Sequence, residues 1–115
     1  MSQVFDEREL LERIDGDWDF LGETVQMLAS DGPELIGQIR SALAAGNAPE
    51  VARLAHSLKG MISNFCSPLA QAAALEMENL GKSGDLSGAA ATISALAATV
   101  DALVAALNDL LATRT

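Results

Sequence analysis

The sequence predicts an all-α fold, an antiparallel four-helix bundle with a short extra N-terminal helix. Three observations predict it. Apolar residues recur at helical spacing along the chain, with no strand-like alternation. Half of the residues (50%) are hydrophobic but only 3% are aromatic, and much of the apolar content is alanine, which suits closely packed helices better than sheets. The breaks between periodic stretches are short, so consecutive helices fold back on one another. At 115 residues the chain, 1–115, reads as a single domain with a modest core.

The first element runs from about Asp6 to Ile14, with Leu10, Leu11 and Ile14 on one side, and Asp15-Gly16-Asp17 breaks it. Asp17 is a suitable N-cap for the next helix, with Asp19 in its first turn. That helix carries Phe20, Leu21, Val25 and Leu28 at helical spacing. Asp31-Gly32-Pro33 interrupts the pattern, which resumes through Leu35, Ile36, Ile39 and Leu43. Either one long helix kinked at Pro33 or two helices nearly in line satisfies this stretch. Gly46-Asn47 ends it. A third helix spans about Pro49 to Phe65, with Pro49 in its first turn. Ser67-Pro68 reads as an N-cap followed by proline at the first helical position, opening a fourth helix to about Lys82. Ser83-Gly84-Asp85 makes a turn. The last helix runs from about Leu86 to Ala112, with Ile93, Leu96, Val100, Leu103, Leu107 and Leu110 as its apolar stripe.

Sixteen acidic and seven basic residues give a net charge of −9. Nucleic acid and anionic membranes are poor partners for such a surface, because phosphate contacts need Lys and Arg. The single cysteine, Cys66, cannot form an internal disulfide, which fits a reducing compartment. The opening, Met1 to Leu10, is charged and lacks the apolar core of a secretory signal. No apolar run looks long enough to span a bilayer. The Ala-rich last helix comes closest, but Asp101, Asn108 and Asp109 interrupt it. A soluble cytoplasmic protein is the expectation.

The single histidine, His56, is the most informative residue. With about 100° of rotation per residue, Val51, Leu54, Leu58, Ile62 and Phe65 fall on the far side of the third helix from His56. Ala52, Arg53, Lys59, Gly60 and Ser63 share its face. His56 therefore points to water, and the competing role is an idle surface histidine. Gly60 argues against idleness. A mid-helix glycine costs about 1 kcal/mol relative to alanine, and here it lies one turn from His56 on the polar face, where core packing does not ask for it. It opens space beside the imidazole for another protein to approach. Lys59 flanks the same face, where an ammonium can reach an added phosphoryl group.

The chemistry open to this trio is narrow. A neutral imidazole is a competent nucleophile near neutral pH, its ordinary pKa being about 6.5, and phosphoryl transfer is mostly positioning and charge neutralisation. The chain supplies an acceptor and a cation but no nucleotide loop or kinase-like residue set. No second His or Cys stands at metal-ligand spacing near His56, so no metal site is expected.

The stretch Leu54-Ala55-His56-Ser57-Leu58-Lys59-Gly60, followed by Ser63-Asn64-Phe65, resembles the signature of the histidine-containing phosphotransfer (HPt) domain family. Asp31-Gly32-Pro33-Glu34-Leu35, Ala42-Leu43, Gly46-Asn47, Leu75-Glu76 and Lys82-Ser83-Gly84-Asp85-Leu86 extend the resemblance over nearly the whole chain. It implies a four-helix bundle whose exposed histidine takes a phosphoryl group from a receiver-domain aspartyl phosphate and passes it to another receiver's aspartate. It also implies no kinase activity of its own and no cofactor, Mg²⁺ being the receiver's. The implied partners are response-regulator receiver domains and hybrid histidine kinases, with the domain acting as a monomer. His56 then matches the phosphoacceptor, Lys59 the lysine that meets the phosphoryl group, and Gly60 the clearance glycine.

Two positions depart from the family pattern. Cys66 stands where glycine is usual, and glycine suits a left-handed helix cap, so either the turn into the fourth helix differs there or the Ser67-Pro68 start compensates. Glu78 stands where several members carry a glutamine that hydrogen-bonds near the histidine. A carboxylate there holds an imidazolium but repels a phosphate, and Lys82, one turn on, can offset the repulsion. Docking is assigned to Arg53, Ser57, Ser63, Glu78 and Lys82 around His56. Phe5, Leu11 and Met27 are added after the family's use of its N-terminal helix, with core packing as their competing role. Two other functions stay open: the phosphoacceptor domain of a chemotaxis-type histidine kinase, and a helical module that binds receivers or other enzymes without passing phosphate. The two ends of the chain fit either a free-standing protein or an excised domain.

Overall fold

The computed structural model describes residues 4–113, and among them there are helices and no strand. Helix α1 (Glu7–Ile14) is capped by Asp6, whose side chain accepts from the Glu9 N–H at 3.0 Å. Helix α2 (Trp18–Ala44) is capped in the same way by Asp17, which accepts from Phe20 at 3.0 Å. Helix α3 (Ala48–Ile62) starts at the Asn47 cap with Pro49 in its first turn, and a 3-10 turn (Ser63–Phe65) extends it. Helix α4 (Pro68–Ser83) opens on the Ser67 cap with proline at its first position and closes on left-handed Gly84. Helix α5 (Ala89–Thr113) completes the bundle.

The region around Pro33 is one helix. Pro33 cannot donate to the carbonyl of Ala29, but both residues are exposed, so water can satisfy the freed carbonyl. Gly32, which reads as a breaker, is a packing position. A Cβ there would stand 3.2 Å from Val100 Cγ1, so its hydrogen lets α2 lie close on α5. The last helix starts at Ala89, later than the apolar pattern suggests. Asp85 Oδ1 accepts the Ser87 N–H at 3.1 Å, and Gly88 has φ 102°, so the chain turns before it winds.

Packing closes a ring: α2 lies on α3 and α5, α4 lies on α3 and α5, and α1 leans on α2. Phe65, Leu21, Leu28, Ile39, Leu58, Ile62, Met77, Leu96, Leu103 and Leu107 fill the interior. The predicted inner stripe of α3 is buried throughout. Phe20 is a correction: it is 54% exposed, and the stripe of α2 runs instead through Leu21, Val25, Leu28, Gly32, Ile36 and Ile39. By length and mean hydropathy (1.8), α5 passes for a membrane-spanning helix, contrary to the sequence reading. Its buried stripe packs on α2 and α4, and much of its remaining apolar character is alanine on the outer face.

The tightest packing is between α3 and α4. A Cβ on Gly81 would fall 2.5 Å from the Ala52 backbone nitrogen and 2.9 Å from the Ala48 carbonyl oxygen. Only a glycine admits this approach, and with Ala48 and Ala52 opposite it sets how closely α4 lies against α3. The N-terminal segment is tied to the α3–α4 turn as well. Asp6 N–H donates to the Cys66 carbonyl at 2.7 Å, and Ser67 Oγ donates to the Val4 carbonyl.

Gly81→Ala should therefore lower the unfolding free energy by about 1–3 kcal/mol, as overpacking does. Gly60→Ala, where a Cβ meets nothing within 4 Å, should raise it by about 0.5–1 kcal/mol. Urea denaturation of the two variants beside the parent measures both, and equal effects would contradict the assignment of Gly81 to the helix contact.

Candidate functional site

The buried face of α4 is Ala70, Ala74, Met77, Glu78 and Gly81. Four of these are apolar or small, and one is a carboxylate with only 3% of its side chain exposed. A buried carboxylate needs partners; the α3–α4 contact at Gly81 brings two of them, and α4 itself supplies the third. His56 Nδ1 lies 3.0 Å from Glu78 Oε2. Lys82, one turn along α4, has its Nζ 3.1 Å from the same oxygen. Lys59 Nζ lies 2.7 Å from Oε1, close enough for charge pairing although off the hydrogen-bond direction.

This setting lowers the Glu78 pKa to about 2. The Lys59 contact is the largest cause; burial opposes it, and Lys82 and His56 reinforce it. Glu78 is thus an anion at neutral pH, and an ionised carboxylate can only accept hydrogen bonds. The proton between the two residues belongs to His56 Nδ1, which donates to Oε2. In the neutral ring that leaves Nε2 as the unprotonated nitrogen. The His56 side chain is 68% exposed, so the Nε2 lone pair faces the open side of the molecule. At Gly60 a Cβ would meet nothing within 4 Å, so the face beside the ring is clear.

His56, Lys59, Glu78 and Lys82 therefore form one cluster, with Gly60 beside it. The other predicted residues lie outside it. Arg53 is held by both Glu50 oxygens at 2.7 Å, on the exposed surface. Ser57 Oγ donates to the Arg53 carbonyl at 3.3 Å and Ser63 Oγ to the Gly60 carbonyl at 2.6 Å, so both hydroxyls are engaged by their own helix. Met27 is 55% exposed, two turns along α2 from exposed Phe20. Leu11 is half-buried against the core. Phe5 corrects the expectation of an exposed docking side chain: it is 8% exposed and belongs to the core.

Arg13 was not anticipated. Its Nη1 donates to the Ser63 carbonyl at 2.8 Å, across the end of α3, and Nη2 pairs with Glu9 at 3.2 Å. No periodicity in the sequence points to this contact between elements distant along the chain. Cys66 stands directly before the Ser67 cap of α4. The residue takes the left-handed conformation itself, with φ 55°, so the cap persists with a cysteine in place of glycine. Burial is the largest cause raising the Cys66 thiol pKa, with Glu9 next, which keeps the thiol protonated. Among the described residues no three His, Cys, Asp or Glu side chains gather in a way that would hold a metal ion.

A family model described as Hpt domain matches residues 23–106, which includes α3, α4 and the whole cluster. No curated protein matches the chain by sequence. Among solved structures, the crystal structure of histidine-containing phosphotransfer protein B (HptB) from Pseudomonas aeruginosa PAO1 superposes with a TM-score of 0.88. It is 23% identical and the match covers 98% of both chains. At that identity the likeness bears on the fold.

The depressed Glu78 pKa makes stability depend on pH with a definite sign. Below its ordinary value of 4.5 an unfolded Glu78 takes up a proton that the folded one refuses. The stabilisation is thus fully present above pH 4.5 and is lost as pH falls toward about 2. Urea unfolding at a series of pH values should show a decline over that window that is shallower in Glu78→Gln. Parallel curves for the two proteins would contradict the ion cluster.

Proposed function

Because the chain belongs to the Hpt domain family, a family of histidine phosphotransfer domains that work in phosphorelays, we propose that His56 is its phosphoacceptor and that it shuttles phosphoryl groups between receiver-domain aspartates. The observation that supports this most directly is the 3.0 Å contact from Nδ1 to Glu78, which turns an unprotonated Nε2 outward.

The step balances as follows. The Nε2 lone pair attacks the phosphorus of a receiver's aspartyl phosphate. The N–P bond forms, the P–O bond to the aspartate breaks, and the aspartate leaves as a carboxylate with the bonding electrons. The ring has gained a positive charge, and its Nδ1–H stays on Glu78 Oε2. The carboxylate thus stabilises charge that develops during transfer. In the second half-reaction another receiver's aspartate attacks the same phosphorus, and neutral His56 leaves with its Nδ1 proton in place.

The carboxylate does not work alone. Glu78 contributes one negative charge, and Lys59 and Lys82 contribute two positive charges in direct contact with it. With a neutral ring the cluster carries one net positive charge on a chain whose total is −9. Lys82 balances the carboxylate's charge on the oxygen that holds the ring, and Lys59, on the other oxygen, is the cation that meets the phosphoryl group. The receiver would bring the Mg²⁺. The space beside Gly60 admits its phosphoaspartate loop. A module that only bound receivers would have no need of an oriented imidazole. The proposal places the domain in the cytoplasm, where the single Cys66 would stay reduced, and takes it to act as a monomer.

Incubation with a receiver domain charged by acetyl phosphate should give an acid-labile, base-stable label on the wild-type protein and none on His56→Gln. Gly60→Leu should fold normally and take up label at least about tenfold more slowly, because its side chain enters the approach path. Labelling of His56→Gln at the wild-type rate would overturn the assignment.

A further inference from the structure

Two groups compete for a single oxygen in this cluster. Glu78 Oε2 receives the His56 Nδ1–H at 3.0 Å and the Lys82 ammonium at 3.1 Å, whereas Lys59 sits on Oε1. A cation beside an acceptor oxygen withdraws charge from it and weakens the hydrogen bond it accepts. The same cation repels positive charge on the imidazole. Lys82 thus opposes Glu78 at the step where the ring becomes cationic.

We propose that Lys82 is a positioning residue that acts through Glu78, limiting how strongly the carboxylate holds the phosphorylated ring, so that the phosphoryl group stays transferable. The inference rests on the relay reading and adds to it the setting of the transfer equilibrium. Glu78 alone would stabilise the imidazolium that exists while the N–P bond is intact, and would draw phosphoryl groups onto His56. Lys82 shifts the balance back toward the receiver. Its geometry suits this role. It is i+4 from Glu78 on the same helix, so its reach to Oε2 does not depend on the partner, and its side chain is 65% exposed. Lys59, 29% exposed and on the other oxygen, leaves the histidine's acceptor atom to Lys82.

This role and the plainer one, direct contact between Lys82 and the phosphoryl group, predict opposite signs. If Lys82 held the phosphoryl group, its removal would reduce the phosphohistidine fraction. If it acts through Glu78, removal increases that fraction. The experiment mixes the protein with a receiver domain charged by acetyl phosphate, removes excess donor, and reads the partition of label between the two chains at equilibrium. Lys82→Met should move the partition toward phosphohistidine by roughly three- to fivefold, the size expected for a largely exposed charge at this distance. Lys82→Arg should restore the wild-type value. In a Glu78→Gln background, Lys82→Met should change the partition by less than about twofold. In the unphosphorylated protein, Lys82→Met should also move the His56 Nδ1–H proton resonance downfield. A partition that moves toward the receiver, or a shift of equal size in both backgrounds, overturns the proposal. An unmoved proton resonance overturns it even if the relay reading holds. Absence of label on the wild-type protein defeats the relay reading, and the resonance then still decides whether Lys82 acts on the hydrogen bond.

Discussion

A carboxylate that has lost its water must be surrounded by charge and hydrogen-bond donors, or it gives up its own charge. Glu78 is that carboxylate here, and the rest of the site follows from how it is answered. One oxygen meets Lys59; the other is shared by Lys82 and the imidazole N–H of His56. Because two ammonium groups are present, the carboxylate stays ionised. Because it stays ionised, it takes the Nδ1 proton as a hydrogen-bond partner. The neutral ring is then held with its other nitrogen bare and exposed. Nucleophile, charge balance and ring orientation thus derive from a single buried anion.

The helical bundle serves this arrangement at a distance. Gly81 lets the backbones of α3 and α4 approach more closely than any side chain would permit. That approach, one turn from Glu78, brings its carboxylate up to His56 and Lys59. The ends of the two helices are fixed separately. Asn47 and Ser67 cap their first turns, left-handed Cys66 reverses the chain between them, and Arg13, Asp6 and Val4 tie the N-terminal segment to that reversal. Interior packing of this kind transmits small displacements, so the contact between Oε2 and the ring depends on groups that never touch the histidine.

Much of the fold was legible because helical periodicity is local. Val51, Leu54, Leu58, Ile62 and Phe65 announce an inner face, and the caps Asp17 and Ser67-Pro68 announce helix starts. What local pattern does not contain was misread or left open. Phe20 has the spacing of a core residue yet lies outside, since one apolar side chain more than the face requires is left to solvent. Gly32 looks like a break and is a contact, because what it accommodates, Val100, is far along the chain. Phe5 has two readings in the sequence, docking or core packing, because nothing in its neighbours tells which helices cover it, and it is buried. The site divides in the same way. His56, Lys59 and Gly60 share one helix, so their common face could be worked out by rotation alone. Glu78 and Lys82 belong to another helix, and their meeting with His56 depends on the register between helices, which rests on Gly81. The carboxylate did leave one trace, at a position where the apolar stripe of α4 otherwise calls for a small or greasy side chain.

The central claim is that Glu78 holds the resting imidazole with its proton on Nδ1. The measurement that reaches it most directly is the pair of ring ¹⁵N chemical shifts of His56 in the unphosphorylated protein at pH 8, which separate a protonated ring nitrogen from a bare one. The account predicts a protonated Nδ1 and an unprotonated Nε2 in the wild-type protein, with the two forms becoming mixed in Glu78→Ala. A wild-type ring that carries its proton on Nε2, or whose shifts are unchanged by Glu78→Ala, would contradict it.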